Sequence, residues 1–149
     1  MKKHFETEAI RTQIERTQYT EHSSPLFLTS SFVFEDAEQM QASFAGENDK
    51  NIYSRFSNPN NQELVDKICV MEEAEAGIAF ASGMAATATV LEMLDSGDHV
   101  IAMDDLYGGT YRLVENVRKR SAGLEFTFAN LSDLNKLEAS LQENTKMIW

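Results

Sequence analysis

The chain has 149 residues, 42% of them hydrophobic and 25% charged, the balance of a soluble globular protein with one domain. Its formal net charge of −11 argues against nucleic acid and against an anionic membrane surface as partners, because both select a basic face. The single cysteine, Cys69, excludes an intrachain disulfide and gives no sign of an oxidising compartment. No apolar run follows Lys2 and Lys3, so no secretory leader is read. The longest uncharged stretch, Ala76–Leu91, is shorter than the roughly 20 residues of a membrane span. A cytoplasmic protein is expected.

Residues 1–57 have weak periodicity and read as an extended arm. They hold a short helical candidate with Ile10 and Ile14 on one face, then Ser23-Ser24-Pro25, a mixed run Leu26–Phe34 and a polar segment Gly46–Lys50. Regular patterning begins at Asn58-Pro59, where Asn as cap and Pro in the first turn predict a helix. That helix would carry Leu64, Val65, Ile68 and Cys69 on its inner face. The run Gly77–Ala81 predicts a buried strand, and Ser82-Gly83-Met84 turns the chain into a second helix bearing Thr87, Val90, Leu91 and Leu94. Ser96-Gly97-Asp98 ends it. A strand His99–Met103, a loop Leu106–Thr110 and a helix Tyr111–Arg120 follow. After the turn Ser121-Ala122-Gly123 come a strand Leu124–Phe128, a helix capped by Ser132 with Leu134, Leu137 and Leu141 inward, and a strand Lys146–Trp149. Alternating strands and helices predict an α/β fold with a mostly parallel sheet and helices on its faces. Residues 58–149 would form the first part of a domain that ends inside an apolar strand, so a truncated chain is expected.

On such sheets ligands bind beyond the carboxyl ends of the strands. Ser82-Gly83-Met84-Ala85 stands at a strand-to-helix junction, where free amides and the helix dipole favour an anion such as phosphate; a plain N-cap accounts for the same letters. Tyr53 and Arg55 are two apart in an extended segment and could converge on one anion, or could be an ordinary surface pair. Tyr107, followed by Gly108-Gly109, could lay its ring against a flat ligand or pack on the rim of a core. Asp104 and Asp105 read as solvated strand-end carboxylates. His4, His22 and His99 form no ligand cluster with Cys69, so no metal site is read. Cys69 reads as a core residue.

Together, Tyr53-Ser-Arg55-Phe-Ser-Asn58-Pro59, Ser82-Gly83-Met84-Ala85-Ala86, Gly97-Asp98-His99-Val100 and Leu106-Tyr107-Gly108-Gly109-Thr110 resemble the Cys/Met-metabolism enzymes that use pyridoxal 5'-phosphate (PLP). The opening Phe5–Thr12 and the run Pro25–Phe32 are similar too. The resemblance implies a fold-type I PLP domain preceded by an arm, residues 1–57, that contacts a neighbouring subunit of a homo-oligomer, a tetramer in the whole protein. It implies that Ser82, Gly83 and Met84 hold the cofactor phosphate, that Tyr107 stacks on its ring, and that Tyr53 and Arg55 reach the phosphate of an adjacent subunit. It further implies an amino-acid substrate and γ-replacement of an O-acylhomoserine by a thiol or sulfide. The alternatives are elimination of the γ-lyase type, another fold-type I branch such as an aminotransferase, and a chain with no activity of its own.

The family's cofactor-bearing lysine and pyridinium-partner aspartate have no counterpart here; Lys146 follows a threonine but stands too early. Inactivity of the 149 residues alone is therefore expected. Asn60-Asn61, Glu73 and Gly109 depart from the common pattern. Gly109 stands where methionine γ-lyases usually carry a cysteine, which speaks against that branch, and the overall pattern is closest to O-succinyl- or O-acetylhomoserine sulfhydrylases and cystathionine γ-synthases.

Overall fold

The computed structural model describes residues 4–149 and divides into two compact units, one running through Ala79 and the other Phe80–Trp149.

In the first unit, helix α1 (Phe5–Arg11) ends at Thr12, whose backbone turns extended (φ −71°, ψ 107°). Ile10 and Ile14 therefore do not share one helical face, contrary to the sequence expectation. The Ile14 amide instead donates to the Glu63 carboxylate at 3.4 Å. A second helix, α2 (Ala37–Phe44), was not expected from the weak pattern around it. Asp36 caps it by accepting from the Gln39 amide at 2.7 Å, and the Gln39 side chain accepts from the Glu35 amide at 3.1 Å. That exchange is a variant of the capping box and outweighs a feeble apolar face.

Helix α3 (Pro59–Glu72) starts where expected, with Asn58 accepting from the Asn60 amide and Pro in the first turn. It closes on Glu73 in the left-handed region (φ 53°), a place that favours glycine. The expected inner face is only partly covered. Leu64 and Ile68 are exposed while Val65 and Cys69 are half-buried, so Cys69 is not a core residue. The close approach of Gly77 covers that half: a Cβ there would lie 3.0 Å from Cys69 Sγ and 3.2 Å from Val65 Cγ1.

The predicted strand Gly77–Ala81 does not form; Ile78 is 80% exposed. A strand needs a neighbour for its N–H and C=O groups, and this run enters no ladder.

The second unit is built on a three-stranded parallel sheet in the order β2-β1-β3. Helix α4 (Gly83–Leu91) precedes the central strand β1 (His99–Met103). Strand β2 is Glu125–Ala129 and β3 is Thr145–Ile148, each displaced by one residue from the expectation. Both flanking strands thus run parallel to β1, as the alternation predicted. The core is Val100, Ile101 and Ala102 of β1 together with Leu91, Val114 and Leu124.

The helix expected over Tyr111–Arg120 is longer and less regular. Segment α5 (Gly108–Leu113) runs into a π turn (Val114–Arg118) and then α6 (Lys119–Ser121). Arg118 pairs with Glu92 after α4, and the Tyr111 ring tilts against Phe128 of β2 at 5.3 Å. Helix α7 (Leu134–Ser140) is capped by Asp133, not Ser132: its carboxylate accepts from the Asn135 amide at 3.1 Å. Leu134 and Leu141 are exposed and only Leu137 is half-buried. In so short a helix one narrow stripe faces β2, and Leu141 lies beyond the helix in extended conformation.

His99 anchors the amino end of the sheet. It is 1% exposed, with Nδ1 2.8 Å from the Thr145 hydroxyl of β3 and Nε2 2.9 Å from the Thr127 hydroxyl of β2. One imidazole in the middle strand thus ties both neighbours.

Gly97 and Gly123 fix the turns into β1 and β2, at φ 92° and 67°, and the Gly97 amide donates to the Gly123 carbonyl at 2.9 Å. A Cβ on Gly123 would collide with the Ser96 hydroxyl. Gly123→Ala is therefore expected to lower stability by about 1–3 kcal/mol, combining left-handed strain with that clash. A urea or thermal unfolding midpoint equal to the parent's would refute this.

Candidate phosphate and ring site

Two places carry the residues singled out in the sequence. The first lies beyond the carboxyl end of β1, in the second unit. The chain leaves Met103 through the exposed Asp104 and Asp105 and reaches Tyr107, which occupies the N-cap position of α5 without a side-chain cap bond. Its ring is 72% exposed. The expected loop Leu106–Thr110 is shorter than predicted, because helix begins at Gly108. Gly109 sits in the first turn, and a Cβ there would strike the Tyr107 ring and lie 3.1 Å from Met84 Sδ. The missing side chain thus leaves room at Gly109 for both the Tyr107 ring and the Met84 thioether.

Met84 belongs to the start of α4. Ser82 is the N-cap (φ −158°, ψ 154°), and its Oγ accepts from the Ala85 amide at 3.1 Å. The hydroxyl hydrogen remains available to a ligand, so the capping and donating readings of Ser82 coexist. The Gly83 and Met84 amides, first in the helix, have no intrahelical acceptor and find none among the described residues. A Cβ on Gly83 would meet nothing within 4 Å. The arrangement is an open helix entrance, with its donors and the positive end of the dipole exposed, beside an exposed aromatic ring. A planar ligand bearing a phosphate suits both halves, and PLP has that shape and charge.

The second place lies in the first unit. Tyr53 pairs with Ser31 in an antiparallel bridge and then opens a turn, its carbonyl accepting from the Phe56 and Ser57 amides at 2.8 and 3.0 Å. The alternation expected of an extended segment therefore does not hold. Tyr53 and Arg55 come together by a different route: the Arg55 guanidinium carbon stands 5.4 Å from the Tyr53 ring centroid and 5.0 Å from that of Phe56. Contacts of this kind steady a guanidinium while leaving its donors free. Arg55 forms no ion pair among the described residues, so its charge is open to an external anion.

Sequence reasoning credited Asn58 with a cap alone and passed over its amide nitrogen, which bonds to the arm. It left His99 without a role beyond excluding a metal. The signal for the first was a capping residue with a donor to spare; for the second, threonines that become neighbours only once the strands are paired.

The family described as Cys/Met metabolism PLP-dependent enzyme matches residues 6–149. A cystathionine beta-lyase of Coxiella burnetii is 55% identical over 97 residues, 65% of this chain and 25% of its own length. An O-succinylhomoserine sulfhydrylase of Pseudomonas aeruginosa is 40% identical over 146 residues, 97% of this chain and 36% of its own length. Among solved structures, a Campylobacter jejuni protein named as an O-acetylhomoserine (thiol)-lyase, carrying N'-pyridoxyl-lysine-5'-monophosphate, superposes with a TM-score of 0.89 at 34% identity. That match covers 99% of this chain and 36% of the other. The chain thus spans about a third or less of the length of these relatives, and within that span the parallel sheet with flanking helices is that of the fold-type I enzymes.

Proposed function

We propose, on the premise that this chain belongs to the Cys/Met-metabolism family of PLP-dependent enzymes, that it contributes the phosphate-holding part of an enzyme performing γ-replacement on an O-acylhomoserine. The observation that carries the reading is the open entrance of α4, where unpaired amides stand beside the exposed Tyr107 ring. Gly83 and Met84 donate their amides to phosphate oxygens, and Ser82 adds its hydroxyl. Tyr107 lies flat on the ring, held there by the gap at Gly109. Bound in this place, PLP supplies the electron sink that stabilises negative charge next to the substrate's amino carbon.

Tyr53 and Arg55 contribute a phenol and a guanidinium to the phosphate of an adjacent subunit. In support, Leu26, Leu28 and Val33 are exposed along the arm, and apolar surface of that kind marks a contact with another chain. No described helix is long and apolar enough to cross a membrane, and a cytoplasmic homotetramer fits the reading.

Replacement in preference to elimination rests on the overall likeness of the motifs to the sulfhydrylases and cystathionine γ-synthases, with Gly109 speaking against the methionine γ-lyase branch alone. Elimination is the second reading, favoured by the relative at 55% identity, which is named a beta-lyase. Product analysis of the whole protein separates the two. Given O-succinylhomoserine with sulfide or cysteine, replacement forms a new C–S bond and releases succinate. Elimination from cystathionine releases ammonia and a keto acid. The expected result is thiol-dependent succinate release exceeding keto-acid formation by about tenfold or more, a gap of some 1.4 kcal/mol between the barriers. Keto acid as the dominant product would overturn the assignment.

A further inference from the structure

The segment carrying Tyr53 and Arg55 is secured at both ends, and one buried side chain links the two. Upstream, the Phe32 amide donates to the Ile52 carbonyl at 3.1 Å and the Ser54 amide to the Ser30 carbonyl at 2.9 Å. Downstream stands Asn58, only 8% exposed. Its Oδ1 accepts from the Asn60 amide at 2.9 Å. Its Nδ2 faces away from the helix and donates twice, to the Phe27 carbonyl at 3.1 Å and to the Ser54 hydroxyl at 3.0 Å. The Ser54 hydroxyl passes the link on to the Thr29 carbonyl. One carboxamide therefore closes the turn that presents Arg55, starts α3 and fastens the extended run 27–29.

A helix cap needs an oxygen only, so capping does not explain the two donations. A long side chain that must meet an anion gains most from a base held in place, since ordering it on binding opposes affinity. We infer that Asn58 is a positioning residue for the phosphate contact of Arg55, acting through its Nδ2 bonds to Phe27 and Ser54. The inference rests on the reading of Arg55 as a phosphate ligand.

The test compares PLP with pyridoxal, which lacks the phosphate, by titrating the apo form of the whole protein. The quantity read is the ratio of the two affinities. Asn58→Asp keeps the capping oxygen and loses the donors. Ser54→Ala removes one acceptor and the link to Thr29 without touching the cap, and serves should Asn58→Asp fold poorly. Both are expected to lower the PLP-to-pyridoxal ratio by about tenfold, the scale of one hydrogen bond to a charged group, with pyridoxal affinity within about twofold of the parent's. A general loss of structure would lower both affinities together and leave the ratio unchanged, which would overturn the inference. Arg55→Ala is measured alongside. If it collapses the ratio while Asn58→Asp and Ser54→Ala do not, Asn58 is a cap alone; if Arg55→Ala itself leaves the ratio intact, the underlying reading of Arg55 fails.

Discussion

A Gly83→Asp variant of the whole protein is expected to fold as well as the parent while losing about a hundredfold in PLP affinity, because like charges brought together cost several kcal/mol. The two effects separate because the site is open. A Cβ on Gly83 would meet nothing within 4 Å, so the new side chain displaces no neighbour. A carboxylate in the first turn interacts favourably with the dipole of α4 by about 0.3–1 kcal/mol. The same carboxylate would stand where the phosphate approaches the Gly83 and Met84 amides. Absorbance titration with PLP and thermal unfolding of the apo form measure the two effects independently, and Gly83→Ala controls for bulk without charge. Unchanged PLP affinity in Gly83→Asp would place the phosphate elsewhere.

The second large effect is expected at His99. Replacement by leucine should weaken the sheet by roughly 2–4 kcal/mol, because the Thr127 and Thr145 hydroxyls each lose a buried partner. Volume is nearly kept, so the loss reports hydrogen bonding more than a cavity. His99→Gln, which has both a donor and an acceptor, should recover part of it. Amide hydrogen exchange over β1 and β3 in the whole protein reads the effect locally, whether or not global unfolding is two-state. If the β1 and β3 amides of His99→Leu exchange at the parent's rate, the imidazole does not tie the strands.

Much of this was legible in the sequence where a local cause sufficed. The bounds of β1 were readable because an apolar run is bracketed by Gly97-Asp98 and Asp104-Asp105. The starts of α3 and α4 were readable because Asn58 and Ser82 are capping residues. The candidate places at Ser82–Met84 and Tyr107 followed from one rule about strand ends. The failures share a different cause. The run 77–81 has a strand's composition, yet a strand exists only with a neighbour, and composition does not supply one. Leu64, Ile68, Leu134 and Leu141 were placed inward by periodicity, which names an apolar face but not what covers it. Helix α2 was missed although Asp36 and Gln39 stood at capping distance, since the apolar pattern was weighed first. The π turn at Val114–Arg118 has no letter code at all. The stacking of Arg55 on Tyr53 and Phe56 depended on a turn where an extended segment was assumed.

The order β2-β1-β3 also bears on how the chain is made. Its middle strand leaves the ribosome before either flank. At about 5–20 residues per second, Thr145, which lies 46 positions after its partner His99, arrives some two to nine seconds later. Thr127, 28 positions on, arrives first, so pairing on one side precedes pairing on the other. For those seconds Val100, Ile101 and Ala102 have an unsatisfied edge. The best-buried segment among the described residues is thus the one whose open edge waits for its partners during synthesis.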